Sequence, residues 1–241
     1  MTGVQTCALP IYNTVSAIRA DSGGTGQNGN GINVFRAGNV QVANNRITGC
    51  AYSAIRGNAA SNIQMTGNHC QRIGEVALYA EFGFTGALIA SNIVDGAATG
   101  ISVTNFNEGG RLAVITGNLI RKLSTREASE DRRGIGISVE ADAVVSGNVV
   151  ESAPIAGIVA GFDQFVRDIA ITGNVVRKAG IGIAVSGNPA GGVVLVANNL
   201  ISGAADGSIR AMEHETPTGP DLVRGDVDAY PHIKLSGNVA G

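Results

Sequence analysis

Tryptophan is absent from this 241-residue chain, and aromatic residues together make up only 4% of it. A core built around large rings is thereby excluded, and a long groove of aromatic sugar platforms is disfavoured. Cysteine is scarce, at three residues, and no Cys-x-x-Cys or Cys/His spacing supports a zinc site. Neither sign of charge dominates: 17 Lys and Arg against 19 Asp and Glu leave a formal charge of −2, which gives no general pull on nucleic acid or anionic membranes. No apolar run approaches bilayer length. What the chain does have is 35 glycines and 44% hydrophobic residues, a balance that excludes general disorder and suits short strands joined by tight turns.

Those strands repeat. The stretch 171–176, Ile-Thr-Gly-Asn-Val-Val, returns along almost the whole sequence, with its asparagine matched at Asn45, Asn68, Asn92, Asn118, Asn148, Asn174, Asn199 and Asn238. The intervals are 23, 24, 26, 30, 26, 25 and 39 residues, a period in the low twenties stretched only by insertion, which marks a solenoid. Three residues before each Asn stands an apolar residue, from Val42 and Met65 to Val196 and Leu235, and two after it another, from Ile47 and Cys70 to Ile201 and Ala240. The residue just before it is Gly, Asn or Ser, types that bend a backbone.

A second register lies between the asparagines, with strands centred on Ile32, Ile55, Leu78, Ile101, Ile137, Ile158, Ile183 and Ile209. Each is preceded by a small residue and followed two places on by an apolar or small one, the period of a strand. The pattern predicts an all-β fold, a right-handed single-stranded parallel β-helix of about eight coils with an asparagine ladder in its turns. At about 4.8 Å per layer the rod is roughly 38 Å long.

Residues 1–11 fit neither register and read as translated sequencing adapter, a scar outside the fold. The expected domain is 12–241, truncated at its N-terminus, with Asn13 anchoring an incomplete first coil. The Gly-rich stretch 21–31 lacks the lysine and following helix of a phosphate cradle, and reads as a loop. Cys50 and Cys70 fall in different inward columns, which predicts two core thiols and no disulfide. Insertions at 105–111, 121–134 and 212–231 should form loops, which either line a binding face or carry solvated surface charge, the first two lying beside the outward face of the Ile-centred strands. The third holds Glu213, His214 and Glu215, adjacent residues in a Pro-bounded loop that do not make a metal site. No cofactor ligand set is visible.

Alternation turns one residue set of the Ile-centred strands outward. Its polar half is N-terminal, where Arg56, Tyr79, Glu81, Ser102, Thr104 and Glu140 form the candidate substrate-binding set. Here Arg could neutralise a uronate, and Tyr or Glu could exchange a proton. The competing interpretation is an ordinary hydrated sheet face. As an acid and base pair, Glu81 and Glu140 are expected three coils apart, roughly 14 Å, too far for either glycosidase geometry. The asparagine column is expected to hold the turns.

The Ile-Thr-Gly-Asn-x-Ile/Val repeat with its Gly-Ile-x-Val strand resembles the pectin-lyase-like β-helix superfamily over residues 13–241. It looks most like uncharacterised twin-arginine-translocated repeat proteins of alphaproteobacteria. That resemblance implies export to the periplasm or beyond. The superfamily's catalytic motifs do not carry over: there is no Asn-Thr-Asp, Asp-Asp, Gly-His-Gly and Arg-Ile-Lys set of polygalacturonases, and no Asp-Pro-His of mannuronan epimerases. Two functions stay open: an exported repeat protein that binds glycan or cell-envelope material on one sheet face, or a polysaccharide lyase, hydrolase or epimerase with no known catalytic residue. Oligomeric state is left open.

Overall fold

The apolar residue three before each ladder asparagine lies inside a strand of three or four residues, from Gln41–Ala43 to Ile233–Ser236. Eight such strands stack parallel and in register as one sheet, Val145 beside Ile115 on one side and Ile171 on the other. The chain then turns at the asparagine into a longer strand, of which His69–Glu81, Ile93–Thr104, Val149–Ala160, Val175–Ser186 and Leu200–Glu213 are the main members of a thirteen-stranded sheet. These strands bend part-way, where the register shifts between Ile73 and Val76, Ala153 and Ala156, and Ala179 and Ile181. Each coil therefore offers three strand segments around one apolar centre, as the two sequence registers predict. This computed structural model describes residues 10–23, 26, 28–105, 112–126, 134–225 and 227–241.

The ladder is built as expected. The backbone N–H and Nδ2 of Asn148 both donate to Asn174 Oδ1 at 3.0 Å, and Nδ2 also donates to the Ile115 carbonyl at 3.1 Å. Every asparagine from Asn45 to Asn199 repeats this on its neighbours and is buried. Asn13 joins at the N-terminal end. The preceding residue takes φ between 55° and 66° in all eight turns, Ser91 included.

Three boundaries differ from the sequence reading. Pro10 and Ile11 sit in register, because the Pro10 carbonyl accepts Asn45 Nδ2 at 2.8 Å and Ile11 bridges Ala43. In the second insertion Arg121 still belongs to a strand and Leu123 to the core. The third opens with strand residues Met212 and Glu213, which return antiparallel through Thr216–Thr218. The expectations for residues 1–9, 24, 25, 27, 106–111, 127–133 and 226 fall outside the described residues.

A second left-handed column follows four residues after the ladder, at Gly49, Arg72, Gly96, Lys122, Ser152, Lys178 and Gly203, with φ between 50° and 90°. It relaxes the corner between the first and second halves of each long strand. Cys50 pairs with Ile73 and Cys70 with Ile47, confirming different columns, and both thiols are free and buried. Burial pushes the Cys50 thiol up to about 11 and raises Cys70 further. Among the described residues no helix is long and apolar enough to cross a membrane.

Candidate functional site

The long-strand stack aligns the outward residues in two columns. Arg56, Tyr79 and Ser102 are register partners in the first, and Asn58, Glu81 and Thr104 in the second. Val103 pairs with Val139, which puts Glu140 next to Thr104. All six sequence-selected residues thus meet on one face. Glu81 and Glu140 are two layers apart rather than three, about 9.6 Å along the stack.

This part of the face is closed, not hydrated. Glu81 Oε1 accepts from Arg56 Nε at 2.6 Å and from Asn58 Nδ2 at 2.8 Å, and the Glu81 side chain is 1% exposed. The guanidinium lies 5.4 Å from the Tyr79 ring centroid, and its Nη1 donates to the Gly26 carbonyl. Gly26 is therefore clamped onto Arg56, helped by Asn30 Nδ2 on the same carbonyl at 2.8 Å. Burial pulls the Arg56 guanidinium down, but the bond and charge of Glu81 outweigh it and hold it above its ordinary value. Tyr79, Ser102 and Thr104 are buried too. Glu140 is half-buried; it accepts from the Thr104 hydroxyl and, at 2.7 Å, from the Asn105 N–H. The arrangement pairs Glu81 with a cation and holds Glu140 on two neutral donors, which suits a scaffold better than proton transfer.

The open part of the same face lies towards the C-terminus. There the outward positions turn apolar, and Ala156, Ile181, Ala184 and Met212 form a buried cluster on the outside of the sheet, with Ile155 and Val159 against it. They floor a cleft of about 190 Å³ walled by Phe162, Asp163 and His214. It runs into a polar cavity of about 350 Å³ lined by Asn188, Thr218 and Tyr230, the two sharing Asp163, Ser186, Met212 and His214. The Phe162 and His214 rings stand 5.4 Å apart at 58°, and Phe162 is 49% exposed.

The walls are braced from below. Ser186 Oγ donates to the Asp163 carbonyl at 2.7 Å, the Gly187 N–H to Met212 O at 2.8 Å, and Asn188 Nδ2 to the Asp163 carboxylate. His232 is buried, with Nε2 2.9 Å from the Ser186 carbonyl, so it supports the floor. Asp163 and His214 both hold φ near 50°, the left-handed region that the turns of this chain use repeatedly. Sequence reading missed this cleft because its walls come from two loops. The available signal was apolar Val159, Ala184 and Met212 at positions that alternation turns outward.

The model of the right handed beta helix region matches residues 11–176. The chain belongs to the right-handed β-helix family. No curated protein matches it. Among solved structures, this β-helix is similar to the alginate lyase of Paenibacillus sp. str. FPU-7, at TM-score 0.59 and 16% identity over 99% of this chain and 78% of that one. It is also similar to the catalytic domain of a GH87 α-1,3-glucanase in complex with nigerose, at TM-score 0.56 and 12% identity over 90% of this chain and 48% of that one. At such identities the likeness is one of fold.

Proposed function

We propose that this β-helix binds a glycan along the outward face of its long-strand stack, with the Phe162–His214 cleft as the entry and no catalysis of its own. The observation that carries this is the joining of an apolar floor to a polar cavity. A sugar ring has an apolar C–H face and a hydroxyl edge, and such a site can meet both. Glu140 is the nearest of the six sequence-selected residues, since the preceding register pair, Val139 and Ala160, puts it beside cleft-lining Gly161. Arg56, Tyr79, Glu81, Ser102 and Thr104 form the closed end of the same face and hold its shape. The carbohydrate-active neighbours support the choice of ligand class.

Phe162→Ala removes the exposed ring at the rim and should weaken binding to the best ligand of a neutral and acidic oligosaccharide panel about tenfold, with the melting temperature unchanged. Isothermal titration of both proteins checks this, and equal affinities would overturn the cleft assignment. A second reading, polysaccharide modification, is favoured by the enzymatic names of both neighbours. New reducing ends or unsaturated uronate from any panel member, lost in Glu140→Gln, would establish it. The same proposal has the protein working in the periplasm or outside the cell, a reading supported by its resemblance to exported repeat proteins. Fractionation of a native host checks the compartment, and a purely cytoplasmic pool would overturn it.

A further inference from the structure

A different surface carries a regular excess of positive charge. Thr48, Gln71, Asp95, Arg121, Glu151 and Arg177 are consecutive register partners on the outside of the long-strand sheet, in its segment just after the asparagine ladder. Beside them the left-handed column supplies Arg72, Lys122 and Lys178 on alternate coils. The same contact is then built three times, each cation reaching back one coil. Arg72 Nη2 meets Thr48 Oγ1 at 3.0 Å, Lys122 Nζ meets Asp95 at 3.0 Å, and Lys178 Nζ meets Glu151 at 3.2 Å. Arg121 and Arg177 add a second cation to the two acidic cells, at 3.0 and 3.5 Å.

Each two-coil cell therefore ends one positive charge in surplus, and the surplus recurs every two layers, about 9.6 Å. The chain as a whole carries −2, so the three cells at +3 leave −5 for the remainder (−2 − 3 = −5). The cationic heads stay in water: Lys122 and Lys178 side chains are 68% and 64% exposed, while Asp95 is 13% exposed. All three column cations occupy φ of 50–56°, where the alternate coils place the small residues Gly49, Gly96, Ser152 and Gly203. A long side chain is disfavoured there, which makes its presence on every second coil informative. Two residues before the charged column runs another that begins with Arg46 and His69 and is aliphatic from Ile93 onwards, with Ile93, Val149 and Leu200 all more than a third exposed.

We propose that this straight stripe binds a linear acidic polysaccharide, a uronan ribbon whose disaccharide repeat matches two coils. In an extended two-fold ribbon successive carboxylates point to opposite edges, so those on one edge recur once per disaccharide and meet one surplus cation each. The C–H faces of the sugars cover the aliphatic column. A lipid surface needs no such period, and a neutral polymer gains nothing from the charge. The stripe goes beyond the cleft and is independent of it.

The test is titration of the full chain and of the double variant Lys122→Gly/Lys178→Gly with β-1,4-linked uronate oligomers, neutral β-1,4 oligomers of equal length, dextran sulfate and vesicles of anionic phospholipid. Glycine relieves the left-handed conformation, so the variant should melt no lower than its parent. Uronate affinity at low ionic strength should fall roughly five- to tenfold, with a shallower salt dependence, while neutral-oligomer binding stays unchanged. Equal uronate affinity in parent and variant overturns the proposal, as does parent binding to dextran sulfate or vesicles as tight as to the uronate. Phe162→Ala separates the two sites: loss there with an intact stripe effect concerns the cleft alone.

Discussion

At the residue scale the asparagine column does two jobs with one side chain. Asn148 accepts from Asn118 through Oδ1 and donates to both Ile115 and Asn174, and it is fully buried. Asn148→Ala leaves those buried backbone groups unpaired and should cost about 1–3 kcal/mol in a urea titration, as a lower midpoint at constant slope. An unchanged midpoint would mean that the ladder is incidental to stability. These residues were legible because a hydrogen-bonded column demands one residue type at one position in every coil. Arg56 and Glu81 were legible as a pair on one face but not as a closed one, since alternation reports which way a side chain points and not what lies over it. Gly26 does so here, from a loop with no period.

At the element scale the C-terminal hairpin is where geometry departs from repetition. Asp221 in the long insertion accepts backbone N–H groups of Ser208, Ile209 and Val223 at 2.7, 3.2 and 3.1 Å. Burial alone would raise its carboxyl, but the three donors outweigh that and hold it below its ordinary value of 3.8. A depressed folded value means that the contribution is complete above about pH 3.8 and is lost as pH falls through the folded value. Asp221→Asn should therefore lower the melting temperature at pH 7, and the gap to the parent should narrow at pH 2.5. Melting curves at the two pH values check this, and a gap that stays constant would show that the charge does not matter. The strands themselves were readable from period two and the flanking small residues. The cleft was not, because Phe162 and His214 approach from loops separated by four strands in the sequence.

At the scale of the whole molecule each coil touches only its neighbours, and stability is expected to add coil by coil. The small column before the core isoleucines sets how closely those coils approach: a Cβ on Gly157 would stand 2.3 Å from Val176 Cγ1 and 2.7 Å from the Gly182 carbonyl. Both obstacles belong to the next coil, one of them rigid backbone, so relief requires the two layers to part. Gly157→Ala should then lower amide protection most in the strands Val149–Ala160 and Val175–Ser186, and progressively less towards Ile63–Thr66. Hydrogen exchange followed by mass spectrometry resolves these segments. A uniform loss of protection along the chain would mean that the coils unfold as one body, and that the repeat read from the sequence is a repeat of structure but not of stability.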